Sequence, residues 1–69
     1  MAQRTFSVGN TFEAHVSASY KNAIKFAIAM AKSQPSEPVR ISWDMHGIAF
    51  GETFVWSDDL NDIIPHYGG

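Results

Sequence analysis

A chain of 69 residues without one cysteine has no disulfide and no thiolate–zinc staple, so its fold must come from apolar packing. That constraint is severe at this size, because a domain of about 60 residues buries only about 60% of the surface its unfolded chain exposes. Two Trp, two Tyr and five Phe are the means at hand, each ring able to bury roughly 150–250 Å². The reading is one domain over residues 1–69, with a flexible tail from about 66.

Period-two alternation marks half-buried strands. In "RTFSV", Phe6 and Val8 fall on one side; in "FEAHV", Phe12, Ala14 and Val16 oppose Glu13 and His15. A three-residue loop between them pairs Val8 with Phe12 and Phe6 with Ala14, keeping one apolar face. "VRISWD" and "GIAFGETFVW" alternate in the same way, joined by a four-residue "DMHG" loop that sets Trp43 against Ile48 and Ile41 against Phe50. Gly51-Glu52 reads either as a bulge or as a turn into another strand.

"SYKNAIKFAIAMAKSQP" has the other period. Tyr20, Ile24, Ala27, Ile28 and Ala31 form one helical face, which Phe26 and Met30 widen. Ser17 or Ser19 can cap its start, and Pro35 ends it. Ser57 followed by Asp58 and Asp59, with Leu60, Ile63 and Ile64 at helical spacing, reads as a short C-terminal helical turn closed by Pro65. The expected class is α+β: a small antiparallel sheet of four or five strands in ββαββ order, with the amphipathic helix on one face.

Little here points to chemistry. His15, His46 and His66 lack the spacing that brings metal ligands together, and no Ser sits in a glycine elbow. The expectation is no enzyme, no cofactor and no metal. The apolar run "FAIAMA" is far short of the roughly 20 residues of a membrane span, and the N-terminus lacks a signal-peptide core, so a cytoplasmic protein is expected. Lys21, Lys25 and Lys32 share a helix face that would suit a small nucleic-acid binder. The absence of outward aromatics and the acidic second half weigh against it.

Charge is distributed unevenly. Residues 1–40 hold Arg4, Lys21, Lys25, Lys32 and Arg40 against Glu13 and Glu37, net +3; residues 41–69 hold Asp44, Glu52, Asp58, Asp59 and Asp62 without a Lys or Arg, net −5. Asp58 and Asp59 suit the first turn of a helix. Asp62, Asp44 and Glu52 do not need one. Brought together, the five would form an acidic face able to attract basic surfaces, with Trp56 or Tyr67 as an exposed aromatic anchor.

Two resemblances carry functional expectations. The ββαββ order ending in Gly68-Gly69 resembles the ubiquitin-like β-grasp family, including bacterial sulfur carriers. That likeness implies a terminal glycine adenylated by a partner enzyme. The sequence departs from the family at "DLNDIIPHY", which takes the place of the family's last, central strand. The size, acidity and layout, with "SYKNAIKFAIAMAKSQP" followed by "VRISWDMHGIAF", are similar to the small phage-encoded anti-CRISPR inhibitors. That resemblance implies a binding protein that blocks a basic, nucleic-acid-handling host defence complex. The leading expectation is such an inhibitor acting through Asp44, Glu52, Asp58, Asp59, Asp62, Trp56 and Tyr67.

Overall fold

The computed structural model describes residues 4–66. Five strands and one helix follow in the order β1 (Phe6–Gly9), β2 (Ala14–Ser17), α1 (Tyr20–Ser33), β3 (Val39–Met45), β4 (Ile48–Ser57) and β5 (Asp62–Pro65). The strands form one fully antiparallel sheet in the spatial order β2-β1-β3-β4-β5. The small α+β class with a single helix is therefore as expected. The chain order is ββαβββ.

α1 begins where the sequence allows it. Ser19 is the N-cap, its Oγ accepting the Asn22 amide at 3.3 Å, which satisfies one of the orphan donors of the first turn. Lys32 lies in the last turn, where the helix dipole favours a cation. The face that α1 buries is Ala23, Ala27, Met30 and Ala31. Three of these are alanine, so the helix backbone comes close to the sheet, whose buried partners are Phe6, Val8, Val39 and Ile41. Trp43, Phe54, Trp56, Ile63 and Ile24 pack partly buried around this core.

The β1–β2 hairpin departs from the expected register. Asn10 organises a longer loop: its Oδ1 accepts the Phe12 and Glu13 amides at 2.8 and 2.9 Å, and its own amide donates to the Glu13 carbonyl at 2.9 Å. Val8 therefore faces His15, and Phe6 faces Ser17. A shift by an odd number of residues exchanges the two faces of a strand. His15 and Ser17 turn toward α1, while Ala14 and Val16 turn to the open face of the sheet. His15 stacks on Phe26 with ring centroids 4.8 Å apart. Val16 and Phe12 are each 67% exposed.

The β3–β4 hairpin is tighter than expected. Its loop is His46-Gly47 alone, with φ of 53° and 79°, the pair of left-handed conformations that a two-residue turn matched to strand twist requires. The register moves by two residues, so faces are kept. Trp43 now faces Phe50, and Ile41 faces Glu52. Gly51-Glu52 is neither bulge nor turn, since the ladder runs through both residues. Gly51 is small because the Arg40 guanidinium lies across it: a Cβ there would stand 2.7 Å from the Arg40 Cζ.

The C-terminal helical turn is replaced by a hairpin. Ser57 Oγ accepts the Leu60 amide at 3.3 Å, as a helix cap would. Asn61 then adopts a φ of 54° and sends the chain back along β4. Ser57 pairs with Asp62, and Val55 with Ile64.

The registers give a direct test. Phe12→Ser is expected to change unfolding free energy by no more than about 0.5 kcal/mol, whereas Ile41→Ala costs about 2–5 kcal/mol, both read from urea denaturation. A Phe12 packed in the core would instead cost about 3–5 kcal/mol on truncation.

Candidate partner-binding surfaces

The five carboxylates singled out by the sequence do not form one face. Asp44 stands on the open face of the sheet, opposite Ala49 near the β3–β4 hairpin tip. From Ala49, β4 runs to Ser57 before Asp58 is reached, which is about 30 Å at roughly 3.3 Å per residue. Asp58, Asp59 and Asp62 lie together at that far end, in and beside the β4–β5 turn.

Glu52 points to the helix side, where the Tyr20 hydroxyl donates to its carboxylate at 2.5 Å. Tyr20 packs edge-on against Phe6 and Trp43, with centroids 5.6 and 6.0 Å apart. Burial, then the Glu52 hydrogen bond and the Glu52 charge, push its pKa up to about 12.

Trp56 is not an exposed anchor. It packs partly buried against the core, and its Nε1 donates to Asp58 Oδ1 at 2.9 Å. Asp62 Oδ1 accepts the Ile63 amide at 2.7 Å. The Asp58 and Asp62 carboxylates thus brace the turn. Tyr67, Gly68 and Gly69 lie outside the described residues. Lys21, Lys25 and Lys32 are exposed along α1 as the sequence suggested.

Two features were missed. Leu60 sits inside the acidic turn and is 67% exposed. Its helical spacing to Ile63 and Ile64 suggested burial; its position between Asp59 and Asn61 was the available hint of a loop tip. The second is the β3–β4 arm, where Ile48 is 60% and Phe50 42% exposed. There Phe50 stacks on Trp43 at 6.0 Å and 16°. Alternation placed both correctly on the apolar side but did not reveal that α1 stops short of them.

The open face carries a shallow groove of about 360 Å³, with Arg4, Ser7, Arg40, Ser42 and Asp44 among its lining. No histidine lines it. Among the described residues, the single ion pair within 4 Å joins His15 to Glu13, Nε2 to Oε1 at 3.6 Å. No group of three or more His, Asp or Glu among those residues could hold a metal ion.

The fold therefore defines a small α+β protein with one helix on a five-stranded antiparallel sheet. No protein-family model, curated protein or solved structure matches the chain. No helix among the described residues is long and apolar enough to cross a membrane.

The raised Tyr20 pKa has a defined pH signature. A phenol held neutral in the fold contributes stability that is fully present below about pH 10 and lost as pH rises toward about 12. Absorbance titration at alkaline pH is expected to show a component near 12 that Tyr20→Phe removes. A tyrosine transition confined to the region of pH 10 in the wild type would contradict the Glu52 contact.

Proposed function

We propose that the chain is a non-enzymatic protein-binding inhibitor that meets a basic partner with its β4–β5 turn. The observation carrying this reading is Leu60, an exposed apolar side chain set among Asp58, Asp59 and Asp62, none of them paired with a Lys or Arg among the described residues. An apolar centre with a charged rim is the usual anatomy of a protein interface. The acidic rim steers a cationic surface toward the turn and speeds encounter, and Leu60 supplies the desolvated contact.

The turn is suited to this because little of it needs to be ordered on binding. Ser57 holds the Leu60 amide, and Trp56 holds Asp58. Preorganisation of this kind lowers the entropic cost of association. The partner class is a protein that presents Lys and Arg for nucleic-acid phosphates, such as a subunit of a CRISPR defence complex. Competition with nucleic acid for that surface would make binding inhibitory. Relative to the sequence-based expectation, the interface narrows from five carboxylates to three and exchanges Trp56 for Leu60.

Asp59 and Leu60 make no side-chain hydrogen bond among the described residues, so they can be changed with little effect on the turn. In a pull-down from nuclease-treated bacterial lysate, the wild type is expected to retain a basic nucleic-acid-binding protein. Leu60→Ser and Asp59→Lys are each expected to weaken its binding about tenfold or more, at unchanged thermal stability. The Asp59→Lys loss should shrink as salt rises. Retention of the same partner by a folded Asp59→Lys, Leu60→Ser double variant would overturn the proposal.

A further inference from the structure

β4 is ten residues long, but β5 covers only part of its outer edge. β5 pairs with residues 54–57, and the His66 amide adds one bond to the Thr53 carbonyl at 2.8 Å. Among the described residues, nothing pairs with that edge from Ile48 to Glu52. In an antiparallel strand, alternate residues send their backbone groups to opposite edges. Since the Thr53 carbonyl faces β5, the amides and carbonyls of Ala49 and Gly51 face the same way and stand open. Natural proteins blunt such edges with Lys, Pro or a bulge. "IAFGE" has none of these.

We infer that this edge is a homodimer interface: β4 pairs antiparallel with β4 of a second copy about a twofold axis at Phe50. The open segment runs from 48 to 52, so its centre is residue 50. Phe50 then faces Phe50, Ala49 faces the partner's Gly51, and Ile48 faces the partner's Glu52. Each of the two Ala49–Gly51 pairs exchanges two backbone hydrogen bonds. A slip by one residue would set the apolar side of one copy against the open face of the other. The Phe50 side chains meet at the close, non-hydrogen-bonded position, extending the existing Trp43–Phe50 stack across the axis.

Charge selects a second copy as the occupant. On the open face, Asp44 stands opposite Ala49, and the Arg40 guanidinium lies across Gly51. Neither has an ion-pair partner within its own chain among the described residues. In the dimer, Ala49 lies beside the partner's Gly51, so each Asp44 shares a row with the partner's Arg40. Only Ala49 stands between them, two strand spacings of about 4.8 Å from β3 to the partner's β4, a span that an arginine side chain lying along the sheet can bridge. The complementarity occurs twice, as an isologous contact requires. The small side chains at 49 and 51 leave the lane open. The assembly is a continuous ten-stranded sheet, five strands from each copy, with the acidic turns at its two distant ends.

The test is sedimentation velocity on the full chain between about 1 and 500 µM, with amide exchange measured by NMR. The expected result is a concentration-dependent shift from 7.6 kDa to twice that mass, with Ala49 and Gly51 amides protected only in the dimer. Ala49→Pro removes one outward donor while leaving the β3 ladder intact, and is expected to weaken dimerisation more than tenfold. Arg40→Asp is expected to weaken it about fivefold to tenfold, and adding Asp44→Arg to restore it, a rescue that general misfolding would not produce. Three results would overturn the inference: a monomer throughout the range, a dimer indifferent to Ala49→Pro, or a monomer whose Ala49 and Gly51 amides are already protected.

Discussion

The β3–β4 ladder, from Val39 opposite Phe54 to Met45 opposite Ile48, is the constraint on which the other features hang. It places Glu52 opposite Ile41 and within reach of Tyr20. It sets Trp43 on Phe50 and draws the Arg40 side chain across Gly51. It also leaves three residues of β4 projecting past the start of β3, and β5 is built on that overhang. The turn that starts this ladder is two residues long and needs positive φ at both. Gly47 meets that need without strain, and His46 takes the conformation that the tight connection imposes.

A sheet with one helix leaves one face to water, which antiparallel strands tolerate. The open face is lined with small or polar residues at its centre, Ser7, Ser42, Gly51 and Thr53, with Arg40 lying over them. The helix face is apolar but longer than α1 can cover. The mismatch has a simple origin: β4 is ten residues long at roughly 3.3 Å each, whereas the fourteen residues of α1 rise only about 1.5 Å each. The uncovered length appears at the β3–β4 arm as Ile48 and Phe50, beside an unpaired strand edge.

The charge asymmetry of the sequence becomes a spatial one of a different kind. Its acids are dispersed to the two ends of β4 and to both faces of the sheet. What remains concentrated is the β4–β5 turn, where carboxylates both hold the backbone and surround an exposed leucine. At the other end, Asp44 and Arg40 stand on adjacent positions of one face, opposite in sign and unpaired within the chain among the described residues. A small protein with little surface to spare thus presents two chemically distinct ends, one acidic and one apolar with mixed charge.

Much of this was legible in the residues alone. Ser19 and Pro35 bracket a helix whatever surrounds it, because a cap and a missing amide act locally. Period two in "RTFSV", "VRISWD" and "GIAFGETFVW" determined which sides of β1, β3 and β4 face the helix, since burial must follow the pleat. The tertiary structure decided the registers. Gly9-Asn10-Thr11 allows several loop lengths, and the length chosen depends on Asn10 binding two amides of the loop and reaching Gln34 on α1 at 2.7 Å. Ser57 capping Leu60 suits a helix and a turn equally, and the edge of β4 makes it a turn by offering Ile63 and Ile64 a ladder. Strand registers in turn settle where charges meet. Separation along the chain therefore said how many carboxylates the second half holds, and only cross-strand pairing said that they stand about 30 Å apart.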